Sequence, residues 1–266
     1  MNIPYPSFQP TLTEPGLKHF GLILTSSSPC ASLNGIVHSY LQINAEKPTP
    51  YPVMPDGTQA IFISPDGSMI SGSQSQSYDI QIPQAGDYFG IRFYPGALRH
   101  LFKLNLAEIT NQLVDEKYFP CDLFGTLHHK IYQHQRFYDR ANVCEQWLLQ
   151  HFNPQPATQF EQALSLIYQS QGNLKIAQLA TRVGWSSRHL NRLFRLNTGL
   201  NTKTFSQIIR LQHVCQYLYR SPADSLTTAM ELGFSDQPHL LNNFRQHLLT
   251  NPNRFFSRFM SDFYNR

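Results

Sequence analysis

One pattern occurs twice in the last third of this 266-residue chain. Ala180, Val183, Gly184 and Trp185 recur 49 positions later as Ala229, Leu232, Gly233 and Phe234. Ile176, Leu179, Ala180 and Val183 lie at helical spacing, which predicts an amphipathic helix, and the glycine that follows takes the positive φ needed to end it. A serine then offers an N-cap to a second helix, Ser186 in the first copy and Ser235 in the second. Leu190, Leu193 and Phe194 form the inner stripe of that helix. Leu240, Leu241 and Phe244 repeat it, with Pro238 in the first turn, where a missing N–H costs little. Helix, glycine turn and capped helix, written twice, predict two helix-turn-helix units. Their outer faces carry Ser186, Ser187, Arg188, His189, Asn191, Arg192 and Arg195 in one and Ser235, Gln237, His239, Asn242, Asn243 and Arg245 in the other. Such side chains reach base edges and phosphates.

The charge follows the repeats. Residues 156–266 hold 12 Lys and Arg against 5 Asp and Glu, while residues 1–155 hold 9 against 12. A basic end joined to a mildly acidic one fits nucleic-acid binding by the former and another task for the latter. Residues 1–10 are Pro-rich without the basic start and apolar run of a signal peptide, and no apolar run approaches the ~18 residues of a membrane span. A cytoplasmic protein with no membrane contact is expected. The four cysteines, Cys30, Cys121, Cys144 and Cys215, are scattered without a CxxC pair, so reduced, buried thiols are expected.

Residues 1–152 read as a separate domain. Strand-length segments at Phe20–Thr25, Gly35–Ile43, Gln59–Ser64, Ser68–Gly72, Ser77–Ile82 and Asp87–Phe93 are punctuated by turns such as Pro55-Asp56-Gly57 and Pro65-Asp66-Gly67. They predict a small antiparallel β-barrel or sandwich. Helical spacing follows from Leu98 to Leu106, with a short second helix near Leu106–Val114 and one or two amphipathic helices over Cys121–Phe152. The last of these either covers the barrel or packs on its twin in a second subunit. Residues 153–157, with Pro154 and Pro156, are the candidate linker, and 158–266 the helical domain. The fold class is therefore α+β: an antiparallel β-domain with helices, then an all-α double helix-turn-helix domain. The helix over Thr204–Tyr219 joins the two units.

The run Leu179-Ala180, Gly184-Trp185-Ser186, His189-Leu190, Arg192-Leu193-Phe194, Thr198-Gly199, Arg210-Leu211, Ala229, Gly233-Phe234-Ser235-Asp236-Gln237, Phe244-Arg245 and Pro252 resembles the DNA-binding domain of the AraC/XylS family of transcription regulators. The resemblance implies seven helices, with recognition helices at about 187–197 and 236–247 in adjacent major grooves ~34 Å apart. It implies double-stranded DNA as partner, with RNA polymerase, a small-molecule effector and a second copy as further expected partners. Two positions depart from the pattern: Leu249 precedes Thr250-Asn251-Pro252 where the family commonly has glycine, and Leu240 or Leu241 stands for the usual aromatic. The first unit is expected to read bases more strongly, Arg188 and Arg192 at guanine and Asn191 at adenine. The second is expected to contact phosphates or RNA polymerase.

Met54 to Ile63, followed by Gly90-Ile91-Arg92-Phe93-Tyr94-Pro95-Gly96-Ala97, is similar to the cupin-like sensory domains of some members. That similarity implies ligand binding or dimerisation. Arg92 is the candidate ligand-binding residue, on the opposite strand face from Ile91 and Phe93. Asp56 is expected to cap its own turn. His128, His129 and His134 lack the spacing of a metal site, and no GxSxG, P-loop or GxGxxG string occurs. No cofactor, metal or catalytic residue is expected. The alternative, a barrel-based metal enzyme with an accessory helical domain, predicts a bound metal and turnover.

Overall fold

A computed structural model describes residues 7–102, 104–118, 124–151, 158–220 and 232–259. The chain enters along an extended stretch, then forms α1 (Glu14–His19), with the Thr13 hydroxyl accepting from Gly16 N at its start. Among the described residues eight strands follow: β1 (Leu22–Ser27), β2 (Val37–Ala45), β3 (Thr49–Val53), β4 (Gln59–Ser64), β5 (Gly67–Ser71), β6 (Tyr78–Ile82), β7 (Gly86–Phe93) and β8 (Leu113–Asp115). β1, β2, β7, β4, β5 and β8 pair antiparallel in that order, and β3 pairs with β6.

The expected barrel does not close. β1 and β8 are the two edges of the six-stranded sheet, and β3–β6 lie across one face as a separate sheet, so the sandwich form of the expectation holds. Strand alternation shows why. Tyr40, Ile61, Phe89, Ile91 and Phe93 share the face covered by α2 (Ala97–Phe102), α3 (Phe124–Tyr132) and α4 (Phe137–His151). Leu41, Ile43 and Ala45 point the other way, onto Tyr51, Val53, Ile80 and Ile82 of the smaller sheet. With both faces buried, the central strands are nearly continuous in apolar residues, and a sheet with both faces covered needs no closure. α4 covers the sheet through Phe137, Ala141, Cys144, Trp147 and Leu148.

Three expectations are corrected. β3 was not among the expected strands, and it contains Pro50 and Pro52. Alternate prolines direct both missing donors to one edge, which a strand with a single partner tolerates. Leu106–Asn111 is a run of turns ending at Asn111 with φ 59°, not a helix, and it leads into β8. Cys30 is half-buried, whereas Cys144 and Cys215 are fully buried as expected. The candidate linker, residues 153–157, lies outside the described residues, as does Cys121.

The helical domain begins with α5 (Gln159–Gln169), capped reciprocally by Thr158 and Glu161. α6 (Ile176–Arg182), α7 (Ser187–Thr198) and the 19-residue α8 (Thr202–Arg220) follow. After residues outside the description come α9 (Gln237–Asn243), a π-helical turn (Phe244–Leu248) and α10 (Pro252–Phe259). α8 belongs to both halves. Its Phe205, Ile208 and Ile209 pack with α5 to α7, and its Leu211, Val214, Cys215 and Leu218 pack with α9 and α10. No helix among the described residues is long and apolar enough to cross a membrane.

The two domains share a polar seam. The β3–β4 connection lies along α8, where Gln212 Nε2 donates to the Pro55 carbonyl at 2.8 Å and a β-carbon at Gly57 would collide with the Phe205 ring. Phe8 N donates to Gln212 Oε1 at 2.7 Å, and the Phe8 side chain joins Leu211 and Cys215 in the helical core.

Candidate nucleic-acid interface

In the first unit, α6 buries Leu179 and Ala180 and ends at Gly184, whose φ is 70°. The Trp185 N–H returns to the Ala180 carbonyl at 2.9 Å, closing the turn. The Ser186 hydroxyl then accepts from His189 N at 3.1 Å, the N-cap the sequence predicts. α7 buries Leu190 and Phe194 and exposes Ser187, Arg188, Arg192 and Arg195, with Ser186 exposed beside them. His189 is half-buried, its ring 5.2 Å from that of Trp185, and its Nδ1 lies 3.5 Å from Arg192 Nη2.

The second unit repeats this with one change of cap. Gly233 turns the chain at φ 120°, and the Phe234 and His239 rings stand 5.2 Å apart, as Trp185 and His189 do. The cap itself is Asp236, not Ser235: Asp236 Oδ1 accepts from His239 N at 2.7 Å, and the Ser235 hydroxyl donates to Asp236 Oδ2. A carboxylate accepts the cap hydrogen bond as well as a hydroxyl and adds a charge favourable at a helix N-terminus. The His239 N–H and the Ser235 hydroxyl hold the Asp236 carboxyl below the usual carboxylate range. Leu226 to Glu231, the expected first helix of this unit, lies outside the described residues.

Two of the candidate base-reading side chains are committed elsewhere. Asn243 is buried, its Nδ2 donating to the His239 carbonyl at 3.0 Å, so it is not on the outer face. Position 243 lies three residues after Leu240, close to the same side of the helix. Asn191 is half-buried and its Oδ1 accepts from Thr202 N at 3.0 Å, satisfying a free N–H in the first turn of α8. Gln237, Asn242 and Arg245 are exposed as expected. The exposed faces therefore differ in kind: three arginines on α7, and amides with one arginine on α9 and its π-helical turn.

The residue that ties the units together is Arg210. From the middle of α8 its Nη2 donates to the Gly172 carbonyl at 2.9 Å, just before the first unit, and its Nη1 to the Gly233 carbonyl at 3.0 Å, in the turn of the second. Its guanidinium lies over the Phe234 ring. A lone charge amid an otherwise uncharged stretch of a long helix was the available signal.

In the amino-terminal domain, Arg92 points into the space between the sheets and pairs with Asp56. Asp56 Oδ1 also accepts from Thr58 N at 2.9 Å, the expected turn cap. Arg92 further lines a cavity of about 400 Å³ at the seam, together with His38, Leu24, Tyr219 and Arg220. No group of three or more His, Cys, Asp or Glu side chains placed to hold a metal ion occurs among the described residues.

Comparison with known proteins matches two separate stretches of the chain. Residues 179–258 match a family described as a helix-turn-helix domain, and residues 25–115 match one described as a domain of unknown function (DUF6597). No curated protein matches the chain. Three crystal structures of ToxT from Vibrio cholerae are similar over 90% of this chain: an apo form from strain SCE256 (8% identity, 98% of that chain, TM-score 0.40), a P21 form (8%, 98%, 0.43) and the protein of O395 (9%, 97%, 0.42). The repeated turn, the capped helices and the match over 179–258 together identify an AraC-type helix-turn-helix domain, the DNA-binding part of a transcription regulator.

Proposed function

We propose that both units lie on one duplex, with α7 carrying the stronger base readout and α9 with its π-helical turn a weaker one, supplemented by backbone contacts or a surface for RNA polymerase. One observation carries this reading: Arg188, Arg192 and Arg195 stand exposed on one helix, and none is ion-paired with a carboxylate among the described residues. Arginine forms bidentate bonds to guanine, each worth about 1–3 kcal/mol of discrimination. Asn191, engaged with Thr202, drops from the readout set, and His189, packed on Trp185, positions Arg192. The test is Arg192→Ala. Selection from random duplex first defines a bound sequence; the variant then loses about 1–3 kcal/mol on that sequence and much less on random duplex. Equal loss on both would make Arg192 a phosphate contact and sink the readout role.

The amino-terminal domain is proposed to sense an anionic small molecule in the seam cavity, where Arg92 lines one wall and Arg220 another. The location supports the reading, because a ligand there touches both domains and shifts any equilibrium between docked and undocked forms. Self-association would bring a second pair of units to the operator.

A further inference from the structure

Carbonyl groups at the end of a helix have no partner within it, and whatever satisfies them fixes where that end sits. Here the carbonyls ending both DNA-reading segments take donors from one short stretch of the amino-terminal domain. At the end of α7, the Asn197 carbonyl accepts from Gln59 Nε2 at 3.1 Å. At the end of the π-helical turn, the His247 carbonyl accepts from Ser77 N and the Leu248 carbonyl from the Ser77 hydroxyl, both at 2.7 Å. His247 Nδ1 lies 2.7 Å from the Ser75 carbonyl. The two grips are one piece. Gln59 Nε2 also reaches Ser73 Oγ at 3.3 Å, while Asn111 donates its N–H to the Ser73 carbonyl and accepts from Ser75 N with its side-chain oxygen. Gln59, Ser73, Ser77 and His247 are all buried, which shields the bonds between the two domains from water. Packing tightens the first grip: a β-carbon at Gly199 would collide with Thr110 Oγ1 and the Leu106 carbonyl.

We propose that Gln59 and the Ser73–Ser77 stretch are positioning residues for DNA recognition, setting the half-element separation that the protein accepts. The proposal rests on the reading that both units lie on one duplex. α8 and Arg210 tie the units at their turns, and a single line of attachment leaves a hinge. A second attachment, at the far ends of the recognition segments, removes that hinge. Because one base pair advances the duplex by about 3.4 Å and rotates it, a displacement of that size shifts a recognition segment by a whole register.

The test compares full-length wild type with the Gln59→Ala/Ser77→Ala double variant in selection from a random-sequence duplex library, reading the separation of the two half-elements. Wild type returns one separation, preferred by about tenfold over those one base pair away. The double variant keeps both half-element sequences and spreads over neighbouring separations within about twofold of each other. Ser77→Thr, which retains both donors, returns the wild-type profile. An unchanged separation in the folded double variant overturns the proposal, and so does a wild type that accepts several separations or recovers only one half-element. Recovery of no motif at all by wild type overturns the DNA reading beneath it, a separate failure. If the double variant does not melt as a folded protein, Gln59→Leu alone decides by the same spread of separations.

Discussion

Arg92 leaves β7 on the face opposite Ile91 and Phe93, as strand alternation requires, and there it meets Asp56. The Asp56 turn cap was readable from Pro-Asp-Gly. Its pairing with a residue 36 positions away was not, because nothing local sets which strand lies beside which. Burial alone would raise the Asp56 pKa, but the Arg92 charge and the hydrogen bonds from Thr58 and Gln9 overcome it and hold the carboxyl below its ordinary range. Beside the pair, burial and the Arg92 charge push the His38 imidazole from its ordinary 6.5 down to about 4, against a smaller opposing pull from Asp56. Between those values the unfolded chain binds a proton at His38 that the folded chain does not. The stability gained by a neutral His38 is therefore complete above pH 6.5 and is lost as pH falls toward 4, by up to about 3 kcal/mol. Asp56 acts in the same direction at lower pH, its contribution lost as pH falls through its folded value. Urea unfolding between pH 7 and 4 is expected to show this slope, and His38→Gln to flatten it. A variant with the full slope would move the effect to His213 or His247, which burial also shifts down.

Among the elements, the two glycine turns were fully legible, since a glycine between an apolar helix and a capping residue leaves few alternatives. The end of the second unit was not. Leu249 takes the left-handed conformation at φ 54° with its side chain about half exposed, at the position where the family resemblance expects glycine. An L-residue there costs roughly 1–2 kcal/mol, so Leu249→Gly is expected to raise stability by about 0.5–1 kcal/mol after the entropy that glycine adds to the unfolded chain. The mirror experiment is Gly184→Ala. No atom lies within 4 Å of a β-carbon at that position and φ is 70°, so the loss of about 1 kcal/mol is conformational and not steric. Opposite signs in thermal or denaturant unfolding are the expected result, and equal signs would show that local backbone preference does not control these turns. The π-helical turn between α9 and Leu249 has no signal in the apolar spacing. The Ser75–Ser77 bonds to its end, which come from residues far away in the chain, accompany it.

At the scale of the whole molecule, the charge asymmetry and the change from strand to helical periodicity imply two bodies on a linker. The seam shows more than that. Phe8 sits within the helical domain's core, its ring 5.4 Å from that of Tyr219. The Gln212 side chain, buried in α8, receives Phe8 N and donates to the Pro55 carbonyl. Arg258 of α10 reaches Asp79 at 3.2 Å from the other side. Such contacts join residues up to 204 positions apart, and no periodicity in the sequence encodes them. They have a thermodynamic consequence, because a side chain that completes another domain's core couples the unfolding of the two. Wild type is expected to unfold in one calorimetric transition. Removing the Phe8 ring by Phe8→Ala costs about 3–5 kcal/mol at a buried aromatic position, and because that loss falls on the seam, the transition should separate into two. A single transition merely moved to lower temperature would instead mean that the polar bonds from Gln59, Ser77 and Gln212 hold the domains together without the Phe8 ring.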